Sequence, residues 1–488
     1  MKKDKPETPD KAEEVTKEPR KPTILFSLIT LVIVVGILIS GILVFDMDEH
    51  ILLVCCITVM CIACMILGYK WDDIQEAMVS GVSKALAALF FFFIIGMAVA
   101  AWVACGTLPA LIYYGLNILR PAFFLPATLL ITSIVSICIG SSWTTAGTIG
   151  VVLLGIGTTM GIPAPLVCGC IISGAYFGDK MSPMSDTTNL APAIAGTDVF
   201  SHIHAMMYTA IPTYIISFVI YGILGIRYAN LSIDMNEIHA IQNALAGTFD
   251  INPIVLLPIV LVLVLSILKM PAIPSLMIGV FVSYPLAAIY QHVSLIDFFS
   301  ILNYGTSYST GLDSVDELVN RGGIQGMMWT FSLGVFALIL GGVITKSGIL
   351  QVLIERAINK LPSRRFLPMA TIITGIAGCA LLGEQYMSIV VTAELYKDVY
   401  PKHGLKRCML SRCVEESSTV TANLFPWTTG GAYMYGALGI SPFVYGPFAI
   451  MNWLTPLLGA LLPLTGWSLL TDGDDPTEKK AAVSESKA

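Results

Sequence analysis

Residues 121–178 open with PAFFLPATLLITSIVSICIG, pass through GSSWTTAGT at 140–148 and close with IISGAYFG, without one charged side chain. The run then meets GDKMSPMSDTTN at 178–189, dense in hydroxyls and carboxylates. A helix crosses a bilayer in about 20 apolar residues, so this run holds more than one crossing. Clusters of Gly, Ser, Thr and Asp interrupt it twice. Backbone that unwinds at membrane depth is tolerated only where protein buries it or a watery cavity borders it. The stretch therefore reads as helices that span, break, and carry polar groups at the break.

The rest of the chain agrees. Of its 488 residues, 55% are hydrophobic and 12% charged, about half the ~25% of a soluble domain. The charges also crowd the ends, with 13 in 1–22 and 8 in 471–488. What remains cannot cover a soluble surface, and the chain reads as an all-α polytopic membrane protein. Single spans are expected at 24–45, 51–69, 205–226, 253–268, 271–291 and 322–345. The runs 85–119, 121–178 and 417–470 each hold more than one, and two apolar segments flank Glu384. The total is about eleven to thirteen membrane segments, some of them re-entrant.

Several classes fall away. No basic face points to nucleic acid. The 11 cysteines are clustered or scattered rather than spaced as a disulfide framework, and Cys61–Cys64, superficially a metal or redox pair, reads as apolar packing. The first apolar run is as long as a full span, with no small-residue cleavage site after it, so it is expected to be a helix and not a leader. HExxH, Walker and GxSxG patterns are absent, which leaves an enzyme with no motif.

The chain also matches itself. At a shift of 242, Gly106, Leu108, Ile112, Asn117 and Leu119 fall on Gly348, Leu350, Ile354, Asn359 and Leu361, and Phe124-Leu125-Pro126 falls on Phe366-Leu367-Pro368. At a shift of 234, Asn189-Leu190-Ala191-Pro192 meets Asn423-Leu424-Phe425-Pro426. The stretches 346–365 and 397–412 each hold five basic residues, whereas their counterparts 104–123 and 158–167 hold one and none. Basic loops stay in the cytoplasm, so equivalent loops lie on opposite sides. The expectation is two inverted-topology repeats, an architecture of secondary transporters with the cargo near the midplane at broken helices. The parts are a disordered cytoplasmic tail (1–22), N-terminal transmembrane helices (23–70), a first repeat (71–226), a polar connector (227–252), linking transmembrane helices (253–312), a second repeat (313–470) and a disordered tail (471–488). The seven basic residues of 1–22 place the N-terminus in the cytoplasm.

Four polar breaks follow, two per half: GSSWTTAGT at 140–148, GDKMSPMSDTTN at 178–189, GEQYMS at 383–388 and EESSTVTAN at 415–423. Freed carbonyls, hydroxyls and a carboxylate make an all-oxygen site, which suits a hard cation such as sodium. Glu384 is the most informative residue, preceded by 18 uncharged positions. A carboxylate at the bilayer centre costs about 3 kcal/mol or more, a strong sign of an ion or proton ligand; a hairpin tip reaching interfacial water is the bland alternative. Burial disfavours the charged form of a carboxyl, so such a group can trade a proton for sodium. Asp179 and Asp186 come next, Asp186 favoured because Lys180 can pair with Asp179. Glu415 and Glu416 are further candidates, with an Arg412–Glu416 pair at i, i+4 as the bland alternative. Ser141, Ser142, Thr144, Thr145, Ser185, Thr187, Thr188, Asn189, Ser417, Thr419, Thr421 and Asn423 supply the polar lining, although single Ser and Thr residues often only bond back to helix carbonyls. Asp198 reads as a helix cap, His202 and His204 as solvated side chains at the interface, and no His arrangement resembles a zinc site.

Taken together, GSSWTTAGT, FGDKMSPMSDTTNLAP at 177–192, GEQY at 383–386 and EESSTVTAN resemble the NhaC-type sodium/proton antiporter family, over about 24–470. The resemblance implies the ion-transporter superfamily fold, no cofactor beyond the transported sodium and protons, and exchange across a prokaryotic inner membrane. It implies Asp179, Asp186 and Glu384 as the family's carboxylates. The same family is similar to malate/lactate exchangers and amino-acid carriers, so a sodium- or proton-coupled carrier of a small carboxylate or amino acid is the runner-up. The lipid bilayer is the expected partner, an oligomer is open, and a channel is the reading that single-channel currents would favour.

Overall fold

The computed structural model describes residues 19–118, 120–228, 235–268, 270–358 and 363–471. Most of both tails lies outside the described residues, as do 229–234 of the connector, Lys360, and the repeat positions Leu119, Asn359 and Leu361. Among the described residues the elements are helical, apart from one isolated bridge between Leu405 and Thr471.

Helices α1 (Ile24–Leu43) and α2 (Glu49–Leu67) form the N-terminal pair. The first half follows with α3 (Trp71–Lys84), α4 (Leu86–Ala104), α5 (Thr107–Ile118), α6 (Pro121–Ile139), α7 (Ser142–Thr145), a π turn (Ala146–Gly150), α8 (Val151–Thr159), α9 (Ala164–Met181), α10 (Asp186–Ala195) and α11 (Val199–Arg227). The connection runs through α12 (Met235–Thr248), α13 (Leu257–Ile267), α14 (Ala272–Tyr290), α15 (Leu295–Tyr304) and α16 (Asp313–Val319). The second half holds α17 (Met328–Ser347), α18 (Ile349–Ile358), α19 (Leu367–Leu382), α20 (Gln385–Tyr396), α21 (Val399–Lys402), α22 (Arg407–Ala422), α23 (Thr429–Leu438), α24 (Pro442–Tyr445) and α25 (Ile450–Thr465).

Seven of these helices are long and apolar enough to cross a bilayer, or ten spans if each of three bent pairs counts as one. The count is lower than the sequence estimate because the breaks leave pieces too short or too polar to qualify. Helix α22 is buried from Cys408 to Ala422, yet it carries Arg412, Glu415 and Glu416. The run 85–119 divides at Gly106, and 205–226 lengthens to the 29 residues of α11. Two apolar cores form, one around α4–α9 and α14, the other around α1, α2, α17 and α19–α22.

The halves share one register. The left-handed glycines Gly140, Gly161 and Gly196 are each followed, 243 residues on, by Gly383, Gly404 and Gly439. Ser141 and Glu384, which cap helix starts, keep the same spacing, and so do the caps Ser185 and Thr428. The earlier pair Gly106 and Gly348 keeps the 242 read from sequence. The 234 match does not survive. Asn189 lies inside α10, after the break, whereas Asn423 ends α22, before it. Helix α9 is two residues longer than α22 and its break is two shorter, so the elements realign beyond it.

Candidate functional site

The site grows from two hairpin turns. After α6, Gly140 takes φ 73° and the Ser141 hydroxyl accepts from the Thr144 amide at 3.2 Å. After α19, Gly383 takes φ 70° and the Glu384 carboxylate accepts from the Met387 amide at 2.9 Å. A side-chain acceptor at that position satisfies amides that the helix start leaves free, and the positive end of the helix dipole favours a carboxylate there. Glycine is required at both turns. A Cβ on Gly140 would lie 2.8 Å from the Met184 carbonyl carbon, and one on Gly383 would lie 2.8 Å from the Ala337 Cβ. Glu384 is fully buried, and its second oxygen, Oε1, has no hydrogen-bond partner.

The first turn delivers Ser142 to Asp179. The Ser142 hydroxyl donates to Asp179 Oδ2 at 2.6 Å; Oδ1 is buried without a partner, and the residue is 5% exposed. The expected Lys180 pairing is not formed. Neighbours on a helix diverge, and Lys180 turns instead to Thr455, donating to its hydroxyl at 3.3 Å. Asp186, at the start of α10, is exposed and accepts from the Tyr386 hydroxyl, so the break after α9 meets the turn that carries Glu384. Ser185 caps α10 through the Thr188 amide and lies 3.2 Å from the Thr187 hydroxyl. Thr188 donates to the Asp179 carbonyl at 3.2 Å.

A second group of charges lies beside α11 and α25. Glu415 is fully buried with neither carboxylate oxygen hydrogen-bonded. Glu416 accepts from the Thr209 hydroxyl of α11 and leaves Oε2 free. The Arg412–Glu416 pair read from the i, i+4 spacing is absent among the described ion pairs. The Arg412 guanidinium donates to the Ser468 carbonyl at 3.1 Å instead. His202 is not solvated, as its place near an interface suggested, but fully buried. Its Nδ1 lies 2.8 Å from the Ser411 hydroxyl, on a helix the sequence places 209 residues away. His204 is exposed as expected, and Asp198 caps α11 through the Ser201 amide at 2.9 Å.

The remaining candidates divide by whether their oxygens are already engaged. Thr144 and Thr145 bond back to Ser141, Ser417 to the Cys413 carbonyl and Thr421 to the Ser417 carbonyl, which is packing chemistry. Asn189 is exposed and donates to the Pro183 and Ser185 carbonyls. Thr419 Oγ1 and Asn423 Oδ1 are buried and unpartnered. Sequence reasoning missed Tyr176, whose buried hydroxyl lacks a partner, as well as Tyr386, Thr209 and Tyr433, which stacks at 4.4 Å on Trp143 of the first polar break. Only Tyr386 had a signal, two residues after Glu384.

No three His, Cys, Asp or Glu side chains converge as a metal cluster among the described residues. The carboxylates instead form a string. Asp186 is an electrostatic neighbour of both Asp179 and Glu384, Asp179 of Glu415, and Lys180 of Glu415 and Glu416. Such a string offers unpaired oxygens one after another, each able to take a cation or a proton.

The chain matches a model of the Na+/H+ antiporter family over residues 174–467. It is 37% identical to the Na+/H+ antiporter NhaC of Alkalihalophilus pseudofirmus, over 92% of this chain and 96% of that protein. It is 36% identical to the malate-2H+/Na+-lactate antiporter of Bacillus subtilis, again over 92% and 96%. Against the arginine/ornithine antiporter ArcD of Halobacterium salinarum it is 36% identical, over 85% and 86%.

Proposed function

The chain belongs to the Na+/H+ antiporter family, and from that premise we propose that it exchanges sodium for protons across a prokaryotic inner membrane, with its N-terminus in the cytoplasm. One observation carries the reading: four buried carboxylates, Asp179, Glu384, Glu415 and Glu416, keep oxygens without partners, and Asp186 borders two of them from the exposed side. Unpaired buried carboxylates are costly to keep and mark ion pathways. Sodium and protons compete for these oxygens. Asp186 and Tyr386 form the mouth, and Asp179, Glu384 and Glu415 the buried stations. The shared register of the halves supports two inverted repeats that rock against each other around the string.

The test is transport by purified protein in vesicles. Sodium added to vesicles holding a pH gradient should collapse it with no organic acid present. A second reading, a carrier of a small carboxylate or amino acid, draws support from the names of two relatives and from the buried cations Lys180 and Arg412. It takes the place of the first if the gradient holds until malate, lactate or arginine is added.

A further inference from the structure

A second polar region lies beside the Glu384 turn, where α3 crosses α17. The two approach closely: a Cβ on Gly81 would collide with the Leu338 carbonyl, and one on Gly342 with the Ala77 carbonyl. Leu338 is the middle of α17, and the neighbouring Ala337 supports the Gly383 turn. Gly81 is thus level with the middle of α17 and with the Gly383 turn, and Lys84 lies one turn farther along α3. Between the helices opens a cleft of about 190 Å³, lined by Glu76, Ser80, Lys84, Thr345, Lys346 and Met387 among others.

Its charges do not balance. Glu76 and Lys346 pair at 3.6 Å, which uses the cleft's carboxylate. Lys84 is exposed and has no ion-pair partner among the described residues. An ammonium at that depth is costly without a counter-charge, and such residues mark sites. The negative end of the α3 dipole eases the cost only in part. Met387 ties the cleft to the proposed transport site, since the residue lines the cleft while its amide holds the Glu384 carboxylate at 2.9 Å.

We propose that this cleft binds an oxyanion, a carboxylate or phosphate group held by Lys84, Lys346 and the Ser80 hydroxyl, and that its occupancy sets the Glu384 turn through Met387. The anion comes either from solution, as inorganic phosphate or a small organic acid, or from a phospholipid headgroup. The cleft lies on the bundle's flank beside the exposed Val79 and Leu86, within reach of lipid. The site goes beyond the exchange reading and does not depend on which cargo the carboxylates carry.

The experiment measures unfolding temperature and sodium-driven exchange for purified protein in phosphatidylcholine, with and without inorganic phosphate, with and without malate, and in vesicles containing phosphatidylglycerol. At least one anion should raise the unfolding temperature and stimulate exchange about fivefold. Lys84→Gln should lose that response and keep the basal rate. A response to phosphate or malate in phosphatidylcholine identifies a dissolved ligand; a response to phosphatidylglycerol alone identifies a headgroup. Ser80→Asp, which places a carboxylate one turn from Lys84, should abolish the response too, and serves if Lys84→Gln fails to fold. The proposal is overturned if no anion has an effect, or if either variant responds like the parent. Loss of basal exchange in the parent itself would count against the transport reading and leave the unfolding measurement to decide this one.

Discussion

The two hairpin turns share one backbone and differ in chemistry. After α6 the turn is Gly140–Ser141, and after α19 it is Gly383–Glu384. Both glycines are left-handed, and both following side chains accept from the amide three residues on. A serine hydroxyl meets that structural need without charge. The turn therefore asks only for an acceptor, and the charge of Glu384 is surplus to folding. On the exchange reading proposed above, its place is in ion chemistry. The first turn supplies its charge indirectly, by presenting Ser142 to Asp179.

The sharpest way to break this comparison is Glu384→Gln. The amide oxygen can still cap α20, so expression should stay close to the parent, while proton-coupled exchange in vesicles falls by about 100-fold or more. A fully active variant would make the two turns equivalent. Next come Asp179→Asn and Asp186→Asn, measured side by side. The buried Asp179 should cost about tenfold or more in exchange rate, whereas the exposed Asp186 should mainly raise the sodium concentration needed. The reverse order would move the central station to the mouth. The smallest effect belongs to Tyr386→Phe, which removes one hydrogen bond to a charged group, ~1.5–3 kcal/mol at most and less at an exposed carboxylate. Sodium KM should rise severalfold with maximal rate nearly unchanged; a variant that lost its maximal rate would give Tyr386 a place in the proton step.

Much of this was legible in the amino-acid order, for reasons that can be named. Glu384 stood out because an acidic residue after 18 uncharged positions has no surface to serve. The paired breaks stood out because glycine and hydroxyl clusters interrupt apolar runs. What was hidden depended on contacts between distant helices. His202 looked wet because histidine near a span end usually is, and its partner Ser411 lies on another helix. Arg412 and Glu416 had ion-pair spacing, but a guanidinium reaches far enough to choose a carbonyl of the turn after α25 instead. Thr209 carries no signal at all in an apolar helix, yet it holds Glu416. The 234 match failed because three identities in a four-residue stretch ending in proline can arise without sharing a place in the fold, whereas positive-φ glycines mark turns that backbone geometry enforces.

The central claim is that sodium and protons occupy the same oxygens in turn. It is tested most directly by adding sodium chloride to purified protein in weakly buffered detergent near pH 8 and recording the pH. Sodium should release protons from the parent chain, more strongly than an equal addition of choline chloride, and the release should shrink in Glu384→Gln and shrink further when Asp179→Asn is added. Sodium that binds without displacing a proton, or a release unchanged in the double variant, would contradict the account.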